Sequence, residues 1–495
     1  MTTTNGSGNS EPPRSADAEP QRTPEAPLQE DAGGVAVGID PIDPNAPERA
    51  FMDPVPASGP LLGSRRFTPL FLVQALGAFN DNVFKNAFIA LLTYRLASDL
   101  EISLEVLAPI AAGVFILPFA IFSPFAGQIS DSVDKAVMMR WVKFVEIILM
   151  IGAAVAYHMQ QLIPLFILLF LMGAQSAFFA PIKYGVLPQY LPKRELVTGN
   201  GLIQAATFLS ILLGTIVGTN LILTEAGILW TSIAVVAIAV IGWVSSLYAL
   251  PAPPRDRSVA VDWTVVPAMA KVFAVTRAQP VAFRTIVAIS WFWFAGATFM
   301  SLLAPFTKNQ LGADETVLTL LLAGFSIGVA IGAMLCGVVY RGQIKVGYAP
   351  WAAVGIAIFS IDLMIATSAP PAQDAEALMN ISDFLASGSG WRVLFDFVML
   401  AACAGFYVTP LNAVYQNAAP EGERGRIVAC SNMIDSALMA TSAVVVALLV
   451  QVGLSTPQIF GLVGATGFIA AFFVARWAPE TWIGQRALSF WPGSA

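Results

Sequence analysis

Long apolar runs are the feature that most constrains this chain. Twelve of them, each of roughly 20 residues or more, follow one another after residue 67. Inside a bilayer only helices and closed barrels satisfy their own backbone hydrogen bonds, and runs of this length fit helices. Charged residues make up 12% of the chain, about half the share found in soluble domains. We therefore predict an all-α membrane protein.

The longest interruption divides the predicted transmembrane helices into two sets of six. The helices are placed at residues 68–97, 104–129, 138–157, 162–181, 199–223, 228–250, 283–305, 316–339, 349–368, 391–414, 428–452 and 457–478. The predicted domains are an N-terminal six-helix bundle (67–250), a cytoplasmic linker (251–282) and a C-terminal six-helix bundle (283–478). Apolar side chains between Asp262 and Thr276 have the spacing of an amphipathic helix on the membrane surface.

The two ends of the chain differ from its apolar middle. Residues 1–66 contain eleven prolines, ten acidic residues and five arginines, with few large apolar side chains. This composition cannot bury a core, so it predicts a disordered cytoplasmic tail, either passive or partner-binding. Residues 479–495 are predicted to form a second, short cytoplasmic tail.

Positive charge is distributed unevenly between the two faces of the predicted bundle. With alternating helices, 22 of the 26 lysines and arginines fall on the face that carries both termini. Only Arg95, Lys308 and Arg392 fall on the other face, and Lys85 lies in mid-span. Cytoplasmic loops are the ones enriched in these residues, so both termini are predicted to be cytoplasmic.

Composition also bears on the class of function. A net charge of −6 gives no support to nucleic-acid binding, which needs a basic surface. One histidine and three scattered cysteines make neither a metal site nor a disulfide framework. We predict no metal, no cofactor and, without a phosphate-binding Gly-x-x-x-x-Gly-Lys-Ser/Thr loop, no direct use of ATP.

Weak internal similarity relates the two halves. The triplet Gly127, Lys135 and Trp141 recurs with the same residue types and spacing 210 residues later. The tripeptide at 181–183, Pro-Ile-Lys, corresponds to Pro-Leu-Asn at 410–412. Two six-helix halves related in this way indicate a transporter whose site lies between them, near the midplane of the membrane.

The first apolar segment carries charges where lipid would otherwise surround it. Asp81, Asn82 and Lys85 lie in its middle, together with two further amides. A charge at the bilayer centre costs about 2.5–3.5 kcal/mol on insertion scales, so it usually faces a partner or a water-filled cavity. Asp81 and Lys85 share a helical face, and either form a structural ion pair or line a substrate path.

The loop after the second segment resembles a motif of the major facilitator superfamily, Gly-x-x-x-Asp-x-x-Gly-Arg-Lys. Gly127 and Asp131 match it, and Lys135 stands in place of the arginine. The resemblance implies the major facilitator fold, with twelve transmembrane helices in two six-helix halves. It also implies that Asp131 helps to latch the halves in the outward-facing state, with Gly127, Lys135 and Arg140 in the same gate.

Three longer stretches are more specific. Residues 78–87, 173–188 with 195–200, and 405–413 with 424–426 resemble the bacterial lysophospholipid transporter branch of that superfamily. The first stretch most resembles the transporter part of fused proteins that also carry acyltransferase and acyl-carrier-protein ligase domains. The resemblance implies a monomeric, multi-pass protein of the bacterial inner membrane that moves lysophospholipids such as lysophosphatidylethanolamine among the membrane lipids. Such a protein would feed a cytoplasmic acyltransferase or ligase, and is itself not expected to be an enzyme.

A lysophospholipid transporter needs charged groups that replace the hydration of the head group. We expect Lys183 to contact the phosphate, with Asn412 near it from the opposite half. Asp81 would contact the amine of an ethanolamine head group or hold Lys85, and Glu146 is a second acidic candidate. Two alternatives stay open: Lys183 snorkels to the interface, and Glu146 only pairs with a neighbouring cation of its own helix.

Four further residues are predicted to take part in gating. Asn200 and Asn432 open corresponding helices of the two halves, and Arg424 and Arg426 belong to the last of the specific stretches.

Three other carboxylates lie in predicted spans. Asp396 is one turn from Arg392 and is expected to pair with it. Asp435 shares a face with Asn432 and serves packing or gating, and Asp362 has no evident partner.

Two functions compete with lipid transport. One is a proton-coupled exporter of amphiphilic drugs, with Asp81 or Glu146 carrying the proton. The other is a non-transporting membrane anchor for lipid-remodelling enzymes, held through the N-terminal tail.

Overall fold

The computed structural model describes residues 60–92, 104–255, 257, 259–368 and 378–478. Residues 1–59 of the predicted N-terminal tail and the whole predicted C-terminal tail, 479–495, therefore lie outside the described residues. Fourteen α-helices occupy the described part of the chain. They are α1 (Thr68–Leu91), α2 (Leu104–Ser132), α3 (Lys135–Met159), α4 (Leu162–Tyr190), α5 (Lys193–Ile222), α6 (Gly227–Leu247), α7 (Val265–Arg277), α8 (Pro280–Pro305), α9 (Glu315–Tyr340), α10 (Ala349–Ala366), α11 (Ile381–Ala386), α12 (Gly388–Ala418), α13 (Arg424–Gln451) and α14 (Thr456–Trp477).

Each of the twelve predicted spans corresponds to one long helix. Eleven of the described helices are long and apolar enough to cross a membrane. The twelfth, α1, has 24 residues and is less apolar because it carries the charges and amides around Asp81. The all-α fold class with twelve spans is therefore confirmed. The linker holds the 13-residue helix α7, and the short helix α11 was not predicted, because six residues are too few for a periodic pattern.

Helix contacts repeat between the two halves. The pairs α1–α5, α2–α4 and α3–α6 of the first half correspond to α8–α13, α9–α12 and α10–α14 of the second. Contacts between the halves are repeated as well. Helix α2 packs on α13, and their equivalents in the other half, α9 and α5, pack on each other. The internal similarity read from the sequence thus reflects a twofold repeat of the packing.

We call these two cross-contacts the α2–α13 seam and the α5–α9 seam. Both close the face of the bundle where α1 begins and α14 ends, which we call the terminal face. A Cβ atom added to Gly127 would lie 2.6 Å from the Cβ of Ala429 and from the backbone oxygen of Gly425. One added to Gly337 would lie 2.9 Å from Oγ1 of Thr198. The repeated glycines therefore serve close approach of the halves.

The loop between α2 and α3 is fixed by one aspartate. Asp134 caps α3 by accepting hydrogen bonds from the backbone nitrogens of Ala136 and Val137. Its carboxylate also accepts from the nitrogen of Ala252, at 3.2 Å, in the linker after α6. This carboxylate therefore positions the predicted gating loop on the terminal face.

Candidate functional site

A cavity of about 370 Å³ lies between the two halves, near the middle of the long helices. We call it the central cavity. Its lining combines charged and amide side chains with aromatic rings. The polar and aromatic lining includes Gln74, Asp81, Asn82, Lys85, Phe115, Phe119, Lys143, Gln175, Ser176, Phe179, Lys183, Tyr184, Gln204, Trp293, Asn412, Tyr415, Ser431, Asn432, Asp435 and Ser436.

Five of the six predicted substrate-binding residues line this cavity. They are Asp81, Asn82, Lys85, Lys183 and Asn412. The structure therefore brings residues of α1, α4 and α12 together around one cavity. Lys183 does not reach the terminal face, because it faces the cavity with its Nζ 4.4 Å from the ring centroid of Tyr184.

Asp81 and Lys85 do not form an ion pair. Among the described residues, no salt bridge within 4.0 Å joins them. Oδ2 of Asp81 instead accepts a hydrogen bond from Oγ of Ser176 at 2.7 Å. The Nζ of Lys85 lies 5.7 Å from the ring centroid of Phe115, at cation–π distance. Both charges are thus left to face the cavity.

The sixth residue, Glu146, lies behind the cavity wall. Its Oε2 is 2.6 Å from Nζ of Lys143, and both side chains are 2% exposed. Asn80 and Gln175 also donate to its carboxylate, at 3.0 and 3.1 Å. Lys143, which the sequence analysis did not select as a binding residue, is the member of this group that lines the cavity. A Cβ atom on Gly77 would collide with its Nζ.

Asp435 is the one acidic residue that lines the cavity from the described part of the second half, and its sequence context is compatible with either packing or gating. It accepts hydrogen bonds from Oγ of Ser290 on α8, at 2.5 Å, and from Oγ of Ser431, at 3.1 Å. The sequence signal was a carboxylate in the middle of an apolar span. The sequence alone could not show which way this side chain points, because that depends on the packing of α13 against α8.

Asp131 joins the halves at the α2–α13 seam. Its carboxylate accepts from the backbone nitrogen of Gly425 at 2.7 Å, and from the backbone nitrogen and Nε of Arg426 at 3.1 and 3.0 Å. A carboxylate that accepts from a guanidinium and two N–H groups forms stronger hydrogen bonds than neutral pairs do. These contacts join the end of α2 to the start of α13 at the terminal face.

The other predicted gating residues take different places. Lys135 is buried at the start of α3, and Arg140 donates through Nη2 to the backbone oxygen of Ala249 at 3.3 Å. Arg424 lies at the same end of α13 as Arg426, with its Nε buried. Asn432 lines the central cavity instead of the terminal face.

Asn200 bonds across the halves to a residue that the sequence analysis missed. Its Nδ2 donates to Oε1 of Gln416 at 3.1 Å, and Nε2 of Gln416 donates back to its Oδ1 at 2.8 Å. Both side chains are buried. This amide pair ties α5 to α12 between the cavity and the terminal face.

We expect the Asn200→Ala and Gln416→Ala substitutions to be strongly non-additive. Each single variant leaves the remaining buried amide without its partner on the other helix, at a cost of about 1–3 kcal/mol, while the double variant removes both amides. Thermal unfolding of the four proteins in detergent would measure the coupling. Additive losses would show that the amide pair does not hold α5 and α12 together.

One predicted ion pair is corrected. Arg392 does not pair with Asp396 but with Asp362 on α10, through Nε and Nη2 to the two carboxylate oxygens. The sequence favoured the nearer carboxylate on the same helix, whereas helix packing brings α10 alongside α12. Within the described ranges, no three His, Cys, Asp or Glu side chains gather as metal ligands would.

Comparison with known proteins agrees with this architecture. Residues 70–391 match the family model of the Major Facilitator Superfamily. Lysophospholipid transporter LplT of Enterobacter sp. (strain 638) is 26% identical over 437 residues, which cover 86% of this chain and 97% of the relative. The LplT of Serratia proteamaculans (strain 568) is 30% identical over 291 residues, covering 56% of this chain and 67% of the relative.

Solved transporters share the fold. The human organic anion transporter MFSD10 superposes with a TM-score of 0.65 at 14% identity, covering 83% of this chain and 99% of that one. FucP in its outward conformation gives a TM-score of 0.61 at 14% identity, covering 84% and 99%. The repeated six-helix halves, the cavity between them and the family match confirm the resemblance seen in the motifs: this chain is a membrane transporter that belongs to the Major Facilitator Superfamily.

Proposed function

We propose that this transporter moves lysophospholipids, such as lysophosphatidylethanolamine, across the bacterial inner membrane by alternating access. The observation that carries the proposal is the mixed lining of the central cavity, where Lys85, Lys143 and Lys183 stand among aromatic rings. The names of the relatives, which match most of the chain, support the same substrate class.

The lining suits a lipid with one acyl chain. Lys183 and Asn412 face the cavity from opposite halves and supply hydrogen-bond donors for a phosphate. Phe115, Phe119 and Trp293 offer apolar surface for the acyl chain. Head-group hydration is thereby replaced by fixed donors, while the chain stays among apolar groups.

We further propose that the terminal face is cytoplasmic. Lys143 and Lys183 lie at the cavity and do not count toward either face. The remaining lysines and arginines are still more frequent on the terminal face than on the opposite face. With the cytoplasmic side closed at Asp131, substrate would enter from the outer leaflet. Inward movement would deliver it to a cytoplasmic acyltransferase or acyl-carrier-protein ligase for reacylation, with the transporter acting as a monomer.

A proton-coupled exporter of amphiphilic drugs is the second candidate. It is favoured by the carboxylate of Asp81, which faces the cavity and has only a serine hydroxyl as its hydrogen-bond donor among the described residues. Drug efflux that depends on a proton gradient and is lost in Asp81→Asn would support it. The anchoring role rests on the N-terminal tail, most of which lies outside the described residues.

The test is uptake of labelled lysophosphatidylethanolamine into proteoliposomes. We expect Lys183→Ala to lower uptake at least about tenfold, since a lost hydrogen bond to a charged group is worth about 1.5–3 kcal/mol. We expect Asp81→Asn to lower uptake as well, because it removes a charged group from the same cavity wall. Lys308→Ala and Glu315→Gln remove exposed charges on the opposite face and serve as matched controls.

The possible outcomes distinguish a wrong substrate from wrong residue roles. Uptake by the wild type that both cavity variants retain would keep lipid transport and reject these residue roles. No uptake by a well-folded, reconstituted wild type would reject lysophospholipid transport and favour the exporter.

A further inference from the structure

The carboxylate of Asp435 faces the central cavity without a cation from its own half. It is 9% exposed and lies in the middle of α13. Its hydrogen-bond donors, Ser290 and Ser431, are neutral hydroxyls. Among the described residues, none of the salt bridges within 4.0 Å includes it. Hydroxyl groups satisfy its lone pairs but do not balance its charge, and an unbalanced buried charge is costly.

Among the described residues, the lysines that line the cavity stand on the opposite wall. Lys85, Lys143 and Lys183 come from α1, α3 and α4 of the first half. Tyr184 lies between the two sides: Nζ of Lys183 is 4.4 Å from its ring centroid, and its ring meets the ring of Tyr415 from the second half, with the centroids 6.4 Å apart. The cavity therefore has a positive wall and, across the midline, a negative one.

Asp81 is the less suitable partner for a ligand cation. It lies on the positive wall itself, on the same half of the protein as Lys85, Lys143 and Lys183. An amine held by Asp81 would therefore lie on the same wall as the lysines that bind the phosphate. Asp435, by contrast, lies on the opposite wall with neutral hydroxyls as its hydrogen-bond donors, so a ligand ammonium group can pair with it there.

We propose that Asp435 binds the ammonium group of a zwitterionic head group whose phosphate lies on the lysines of the opposite wall. The head group then spans the two halves, with its phosphate at Lys183 and its amine beside Ser290 and Ser431. The inference rests on the proposed function and deepens it, because it assigns the site to amine-bearing lysophospholipids. It also moves amine recognition from Asp81 to Asp435.

Selectivity between two lipids tests the assignment. Lysophosphatidylethanolamine and lysophosphatidylglycerol both carry a phosphate, but only the first carries an amine. In proteoliposomes, we expect Asp435→Asn to lower the ratio of ethanolamine-lipid uptake to glycerol-lipid uptake at least about tenfold, the loss of one charge-assisted contact. Asp435→Glu keeps the charge and is expected to retain most of the preference.

Asp396→Asn is the matched control. Asp396 is also a buried carboxylate of the second half, but it lies in α12 and does not line the cavity. Its substitution is expected to leave the uptake ratio unchanged. Thermal unfolding of all variants in detergent shows whether each protein is folded before its uptake is compared.

Each other outcome overturns the inference in a recognisable way. An equal loss of both lipids in folded Asp435→Asn would make the residue structural, and an unchanged ratio would show that it does not contact the amine. If the wild type carries lysophosphatidylglycerol but not lysophosphatidylethanolamine, the amine site fails while lipid transport stands. If the wild type carries neither lipid, the proposed function itself fails.

Discussion

Replacing Glu146 with alanine is expected to lower the free energy of unfolding by about 3–5 kcal/mol. The substitution leaves the ammonium group of Lys143 buried without its carboxylate, from which it is now 2.6 Å away. It also removes the acceptor of Asn80 and Gln175, so that three buried donors lose a partner together. Thermal or denaturant unfolding in detergent, followed by intrinsic fluorescence, would measure the loss.

Two comparisons make this expectation specific. Removing both charges with Lys143→Met and Glu146→Leu should restore much of the stability, because a buried pair contributes little over well-packed apolar residues. Glu421→Ala breaks the exposed pair with Arg255 and should change stability by no more than about 1 kcal/mol. A loss in Glu146→Ala as small as that in Glu421→Ala would show that water reaches the Lys143 ammonium.

Asp131→Asn is expected to open the terminal face. The neutral side chain weakens the contacts to Gly425 and Arg426, and a loss of about 1.5–3 kcal/mol raises the open population at least about tenfold. Cys336 and Cys430 are native reporters, because both are buried close to the two seams. Their alkylation by N-ethylmaleimide, followed by mass spectrometry in nanodiscs, should accelerate by that factor.

A third native cysteine serves as an internal reference for the alkylation rates of Cys336 and Cys430. Cys403 lies on α12 against Gly355 of α10, away from the seams, and its alkylation should not change. Glu225→Gln removes an exposed carboxylate on the opposite face and should leave all three rates as they are. Faster alkylation of Cys403 in Asp131→Asn would indicate general loosening instead of opening.

The sequence predicted what depends on local composition. Lipid must surround each span, so every span carries its own apolar run, and all twelve could be found. The largest errors are the end of α4, predicted at residue 181 but observed at Tyr190, and the start of α5, predicted at residue 199 but observed at Lys193. The charges of α1 pointed to a cavity for the same reason, because Asp81 and Lys85 have no place in lipid.

The partners of those charges depend on contacts between distant helices. Glu146 gathers donors from three helices, and Ser290 meets Asp435 from 145 residues away. Because Asp396 is close to Arg392 on the same helix, the sequence predicted an ion pair between them. Helix packing instead brings Asp362 of α10 to Arg392. Gln416 carried no signal of its own, because an amide near a helix end has many possible acceptors.

The two seams are alike in shape but not in chemistry. At the α2–α13 seam a carboxylate, Asp131, binds the start of the opposite helix. The equivalent position at the α5–α9 seam, 210 residues later, is Arg341, which ends α9 in a left-handed conformation with φ of 46°. Protonation or ionic screening of that carboxylate therefore acts on one side of the terminal face alone. We expect acidification to separate the halves first at the α2–α13 seam while the α5–α9 seam stays in contact. Water would then enter the terminal face first along the α2–α13 edge.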